Sequence, residues 1–175
     1  MIHQFEEYGL DLKGRHFYFH QIICGKLGYS STADCTIQAW HLTFINLVLM
    51  TWAALRARSA PAGPGANFFG LAAFNALVHI VPGAIDAAHG GDLYNPGQLS
   101  ALVILIPGAV GALRALYRQR VITGAGIARA LAVGMLAHVI HFFGHYLRSR
   151  EIINDVIWIP YLIATFIGFM SLAFP

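Results

Sequence analysis

The strongest constraint on the fold of this 175-residue chain is its series of long apolar stretches. Each is long enough to cross a bilayer as a helix, which takes about 20 residues at about 1.5 Å per residue. A backbone in hydrocarbon must satisfy its own hydrogen bonds, and these stretches lack the alternating pattern of barrel strands. The sequence therefore predicts an all-α fold, a polytopic transmembrane helix bundle. Five spans are expected, at about 40–56, 67–88, 98–117, 124–146 and 152–174.

The composition agrees with a lipid environment. Hydrophobic residues make up 57% of the chain and charged residues only 11%, whereas soluble domains carry about 25% charged residues. Too few polar side chains are present to cover a surface in water, so the lipid bilayer is the expected partner. The net charge of +3 is dispersed and includes no basic run, which excludes nucleic acid as an expected partner.

The chain is predicted to form one integral-membrane domain over residues 1–175, because it shows no internal repeat and no linker-like tract. Residues 1–39 are too interrupted by polar residues and glycine to span, and they are expected to lie at the interface, with a helix near 16–27. The two cysteines in this segment, Cys24 and Cys35, would form a disulfide in an oxidising compartment. Two unrelated buried thiols are the favoured interpretation.

Arginines near the short loops predict the orientation. Positive residues accumulate on the cytoplasmic side of membrane proteins, and one set of joints carries more of them than the other: Arg56, Arg58, Arg114, Arg118, Arg120 and Arg129. This bias places the N-terminus and the loops at 89–97 and 147–151 outside. The predicted location is the plasma (inner) membrane.

Polar residues recur at helical spacing within two of the spans. Asn75, His79 and Asp86 share one face of the second span, while His138 and His141 share one face of the fourth. The predicted topology brings His79 and His138 to a similar depth. Ionisable groups within a bilayer are costly, so function is the default hypothesis for them.

The opening stretch MIHQFEEYGL adds His3, Glu6 and Glu7 at positions i, i+3 and i+4 of a helical turn. Imidazole and carboxylate together suit a divalent metal such as Zn or Fe. The predicted metal ligands are His3, Glu6, His79, His138 and His141. Glu6 and Glu7 are the candidate catalytic residues, and Asn75, Asp86 and Asn95 are the residues expected to support the ligands from behind.

Two classes of function remain open. The first is a metal-dependent membrane enzyme that hydrolyses or isomerises a lipid or another apolar substrate. The second is a non-enzymatic carrier, sensor or scaffold in which the histidines make structural contacts between helices. The chain contains neither a His-Glu-x-x-His helix nor a Gly-x-Ser-x-Gly elbow, so the common peptidase and serine hydrolase mechanisms are unsupported. The sequence leaves the oligomeric state open.

HQFEE at 3–7, NALVH at 75–79 and YNPGQLSALVILIP at 94–107 together resemble the HXXEE-domain family of small multi-span membrane proteins. The resemblance covers about residues 3–107 and singles out His3, Glu6, Glu7, Asn75 and His79. It implies an enzymatic, metal-dependent role without naming a reaction. Family members usually carry a span before the first motif, whereas two residues precede it here. Either the start codon lies farther upstream or the fold does without that helix.

Overall fold

The computed structural model of the chain describes residues 2–16 and 18–172, and the predicted all-α fold is confirmed. The helices are α1 (Ile2–Tyr8), α2 (Tyr18–Lys26), α3 (Ala39–Phe44), α4 (Met50–Ser59), α5 (Ala66–Ala88), α6 (Gln98–Ser100), α7 (Ile106–Arg118), α8 (Gly124–Ser149) and α9 (Asp155–Ser171). Wider π-helical turns join α3 to α4 at Ile45–Leu49, precede α5 at Pro61–Gly65, and join α6 to α7 at Ala101–Leu105.

Among the described residues, three helical stretches are long and apolar enough to cross a membrane, which supports a membrane environment. They are Pro61–Ala88, Gln98–Arg118 and Gly124–Ser149. These stretches contain the second, third and fourth predicted spans.

The first and last predicted spans fall on other helices. The span at 40–56 lies on the helical stretch that α3, the π-turn and α4 form together. The span at 152–174 overlaps α9, which has 17 residues, and positions 173 and 174 of that span lie outside the described residues. The count of five spans therefore stays a prediction. α2 occupies the segment where an interfacial helix was expected, and its position at an interface is likewise a prediction.

Short polar side chains start two of the long helices. The Thr123 hydroxyl accepts a hydrogen bond from the backbone N–H of Gly126 at the start of α8. The Asn154 side chain accepts one from the N–H of Ile157 at the start of α9. Each cap satisfies a backbone donor that the helix leaves unpaired.

Helices α5 and α8 form the most extensive contact in the bundle, and small residues make it possible. A Cβ atom added at Gly70 would lie 2.0 Å from the Ala130 carbonyl oxygen, and one added at Gly134 would lie 2.3 Å from the Gly70 carbonyl oxygen. Farther along, Asn75 hydrogen-bonds His138. Residue numbers rise together along both helices at these contacts, so α5 and α8 run parallel.

The N-terminal segment lies against the end of the bundle where α5 and α8 finish. Cys24 and Cys35 are joined by a disulfide, so the expectation of unrelated thiols is wrong. The half-cystines are buried with Trp158 of α9, and the Tyr29 hydroxyl donates to the Ser149 carbonyl. Packing of the segment onto α9 brings the two sulfurs together, which spacing in the sequence alone does not reveal.

Candidate functional site

The first turns of α1 and the middle of α5 bring two imidazoles and one carboxylate together. Glu7 Oε1 lies 2.8 Å from His79 Nε2 and 3.4 Å from His3 Nε2. One potential ligand atom from each of the three residues lies within 4.8 Å of the other two. All three side chains are buried. The helical spacing of HQFEE puts His3 and Glu7 one turn apart on the same face, so both reach α5.

The Nδ1 atoms of His79 and His3 are both held by hydrogen bonds. His79 Nδ1 lies 2.7 Å from the Pro96 carbonyl oxygen, and because a carbonyl can only accept, His79 Nδ1 donates. His3 Nδ1 lies 2.8 Å from Ser100 Oγ, whose own proton goes to Glu6 Oε2 at 2.6 Å, so His3 Nδ1 also donates. Each Nε2 atom is thereby turned towards Glu7.

Burial sets the protonation state of His3. Removal from water lowers the pKa of the His3 imidazole, and this effect outweighs the attraction of the neighbouring Glu7 carboxylate. A neutral ring carries a lone pair on Nε2, which is the form that binds a metal. His3 is therefore in the protonation state that a metal ligand needs, although its Nε2 lone pair accepts a hydrogen bond from Asn75.

Glu6 faces the start of the third predicted span instead. Its carboxylate accepts hydrogen bonds from the backbone N–H groups of Leu99 and Ser100, from the Ser100 hydroxyl and from the Tyr94 hydroxyl. Burial raises the pKa of the Glu6 carboxyl, but these four donors together lower it below its ordinary value. An ionised Glu6 thus ties α1 to α6, since the first N–H groups of a helix favour a negative charge.

Asn75 connects this group to α8. Its Nδ2 lies 2.8 Å from His3 Nε2, and its Oδ1 lies 3.1 Å from His138 Nε2. The other nitrogen of His138 bonds the Gly134 carbonyl on its own helix. The Asn75 amide therefore lies between His138 and His3.

His141 belongs to a separate contact. Its Nε2 lies 2.9 Å from His145 Nε2, one turn farther along α8. Asn95 supports the site through the backbone, because its Nδ2 donates to the His79 carbonyl at 3.2 Å. Asp86 is exposed near the end of α5.

Three residues that hold the imidazoles and Glu6 in place were not predicted from the sequence. Pro96, Ser100 and Tyr94 contact His79, His3 and Glu6, and they belong to the YNPGQLS stretch after the second span. Gly97 adopts a left-handed conformation with φ of 86°, and a Cβ there would lie 2.8 Å from His79 Nδ1. The Asn-Pro-Gly turn was the available signal, because such a turn brings the backbone close to its neighbours.

A cavity of about 930 Å³ adjoins these side chains. Its wall includes His3, Glu7, Asn75 and His79, and it continues between the helices along apolar residues such as Leu71, Phe166 and Phe169. A large apolar cavity with a few convergent polar groups at its wall is typical of a small-molecule site.

One further group in the described part of the chain combines metal-ligand residue types. His20, Cys24 and Cys35 are buried close together. The two sulfurs are bonded to each other, so they are not available as thiolate ligands in this state. The His3, Glu7 and His79 group is therefore the better candidate metal centre.

Comparison with known proteins gives a family rather than a reaction. A family model described as "Protein of unknown function with HXXEE motif" matches residues 1–112. No curated protein and no solved structure matches the chain. The matched region holds both the motif on α1 and the Asn75 to His79 stretch on α5, and it spans more than half of the chain. The resemblance noted in the sequence is thereby confirmed, and the chain belongs to the HXXEE family.

Proposed function

We propose that the protein is an integral-membrane, metal-dependent enzyme that hydrolyses or isomerises a lipid or another apolar substrate. One observation carries this proposal. Donor atoms of His3, Glu7 and His79 from two helices lie within 4.8 Å of one another, at the wall of a cavity lined mainly by apolar side chains.

The donor set fits a divalent metal such as Zn or Fe. Two imidazole nitrogens and one carboxylate oxygen are a common set in catalytic sites that keep a position open for water or substrate. The bonds from His79 Nδ1 to Pro96 and from His3 Nδ1 to Ser100 supply the outer contacts that orient such ligands. A divalent cation held there supplies Lewis-acid activation of water or of a carbonyl or phosphoryl oxygen.

The two carboxylates then have different tasks. Glu7 is the acid that reaches both imidazoles, and it is available as a ligand or as a proton acceptor. Glu6 is committed to four hydrogen-bond donors, so its task is to position α1. The cavity takes the apolar part of the substrate and keeps bulk water away from the polar wall, which strengthens electrostatic contacts there.

The disulfide supports the proposed orientation. Disulfides persist in oxidising compartments such as the bacterial periplasm, and the Cys24–Cys35 bond lies in the N-terminal segment. We propose that this segment and the candidate site lie towards the outer face of the plasma (inner) membrane, as the distribution of arginines predicts.

A second candidate function is acid–base isomerisation without a metal. It is favoured by the hydrogen bond from Asn75 Nδ2 to His3 Nε2, since this bond occupies the lone pair that a metal would need. His79 Nδ1 donates to Pro96, so the 2.8 Å contact between Glu7 and His79 Nε2 needs one proton between them. Such a pair can remove a proton from one carbon and return one to another.

Metal analysis separates the two candidates. Protein purified in mild detergent is expected to hold about one equivalent of divalent metal, and Glu7→Gln and His79→Ala are expected to lose it while remaining monodisperse. His89→Ala is the matched control, because this histidine is exposed just beyond the end of α5. Metal-free wild-type protein that binds added Zn²⁺ no better than the Glu7→Gln variant does would replace the first candidate by the second.

A further inference from the structure

A pair of histidines on α8 lies outside the site described above. His141 Nε2 and His145 Nε2 are 2.9 Å apart, with the two rings almost perpendicular at 88°. Both residues line the 930 Å³ cavity, so the pair is reached from the same space as Glu7 and His79. His145 itself is 3% exposed.

We propose that His141 and His145 form a second, independent binding site for a transition-metal ion such as Ni²⁺, Cu²⁺ or Zn²⁺. Imidazole suits these ions, and the i, i+4 spacing of a helix brings two imidazoles to one side. Metal–nitrogen distances of about 2.0–2.1 Å put two neighbouring ligand nitrogens about 2.9 Å apart at a right angle and about 3.4 Å apart in a tetrahedron. The observed 2.9 Å separation lies within reach of both.

The surroundings allow the metal-binding tautomer. His145 Nδ1 is buried and has no hydrogen-bond partner among the described residues. The 2.9 Å contact between the two Nε2 atoms holds one proton, and an ion can take its place when the ring that carries this proton shifts it to Nδ1. No described residue donates to His145 Nδ1, so this nitrogen can accept the proton.

Helix α9 fixes the turn of α8 that carries the pair. A Cβ added at Gly144 would lie 2.5 Å from the Tyr161 ring, and the Tyr161 hydroxyl donates to the Ile140 carbonyl at 2.8 Å. The Trp158 ring packs against His145 with 5.3 Å between centroids. The two imidazoles are thus presented by a packed wall rather than by a mobile segment. The chain supplies two ligands, and water or a heteroatom of a molecule in the cavity completes the coordination.

The test uses the full chain in mild detergent, freed of metal and titrated with Ni²⁺ alone. The His79→Ala background removes the first candidate site, so failure of the proposed function does not affect the result. Calorimetry is expected to show one equivalent bound in this background, with the affinity lowered at least tenfold by adding His145→Gln. Glutamine can still hydrogen-bond His141, so a structural contact survives while an imidazole ligand is lost. His89→Ala is the control, because that imidazole is exposed.

Two results would overturn the proposal. One is the absence of Ni²⁺ binding in the His79→Ala background, and the other is unchanged affinity after His145→Gln. His141→Gln provides the second variant if the first does not fold, and it is expected to lower the affinity to a similar extent.

Discussion

Helix α5 meets its neighbours in two different ways along its length. At Gly70 its backbone touches the backbone of α8 at Ala130 and Gly134. Two turns later, Asn75 and His79 meet α1, α8 and the loop before α6 through hydrogen bonds. Within a membrane, small residues let helices approach, while polar groups set their register. The comparison predicts that the glycine crossing governs the stability of the bundle, whereas the polar region governs the proposed binding.

The largest expected effect comes from filling the glycine crossing. Gly134→Leu should destabilise the folded protein by about 3 kcal/mol, because the neighbouring atoms are backbone and cannot move aside. Gly111→Leu on α7 is the control, since no described atom beyond its own helix lies within 4 Å of a Cβ there. Thermal unfolding and monodispersity in detergent are the measurements. Equal stability of the two variants would contradict the importance of the crossing.

A substitution in the polar region should lower metal affinity more than it lowers stability. Gly97→Ala and Gly90→Ala both place a side chain at positive φ, 86° and 79°, which costs about 1–2 kcal/mol in each case. Only at Gly97 does the new Cβ collide with His79 and His3, at 2.8 and 2.9 Å. Metal binding should fall at least 100-fold in Gly97→Ala and stay unchanged in Gly90→Ala. Comparable metal affinities in the two variants would show that the loop at Gly97 does not position the metal ligands.

A smaller effect is expected from the hydrogen bonds behind the imidazoles. Ser100→Ala removes the acceptor of His3 Nδ1 and one donor to Glu6, and loss of such an outer contact typically lowers metal affinity 10- to 100-fold. Ser59→Ala removes a local hydroxyl bond elsewhere in the bundle and serves as the control. Zinc titration of both variants is the measurement, and wild-type affinity in Ser100→Ala would show that this contact does not orient His3.

The polar region was accessible from the sequence only in part. Helical spacing and the cost of buried polar groups pointed to α1, α5 and α8, and the structure brings residues of all three together. The different contacts of Glu6 and Glu7 could not be predicted from the sequence. Adjacent residues of a helix point about 100° apart, and the position of the loop decides which of the two meets α6. The contributions of Ser100 and Pro96 depend on a loop that folds back over α1. The separation of His141 from His138 depends on how α8 is rotated against α5.

The smallest predicted effect is a pH-dependent loss of stability at Asp11, in the N-terminal segment, with no such loss at the glycine crossing. The Asp11 carboxylate is buried and accepts hydrogen bonds from the N–H groups of Lys13 and Arg15 and from the Arg15 side chain. Burial raises the pKa of Asp11, but these bonds and the Arg15 charge bring it below its ordinary value of 3.8. A lowered folded-state pKa contributes stability that is present above 3.8 and is lost as the pH falls through the lower value.

The wild-type melting temperature should therefore fall more steeply than that of Asp11→Asn between about pH 5 and pH 3. The asparagine cannot ionise, so its variant starts lower and changes less over this range. The contact among Gly70, Ala130 and Gly134 involves no titratable side chain, so Gly134→Ala should lower the melting temperature by the same amount at both pH values. Parallel pH curves for wild type and Asp11→Asn would show that this turn does not stabilise the folded chain. A pH-dependent penalty at Gly134 would show that the two regions of α5 are coupled.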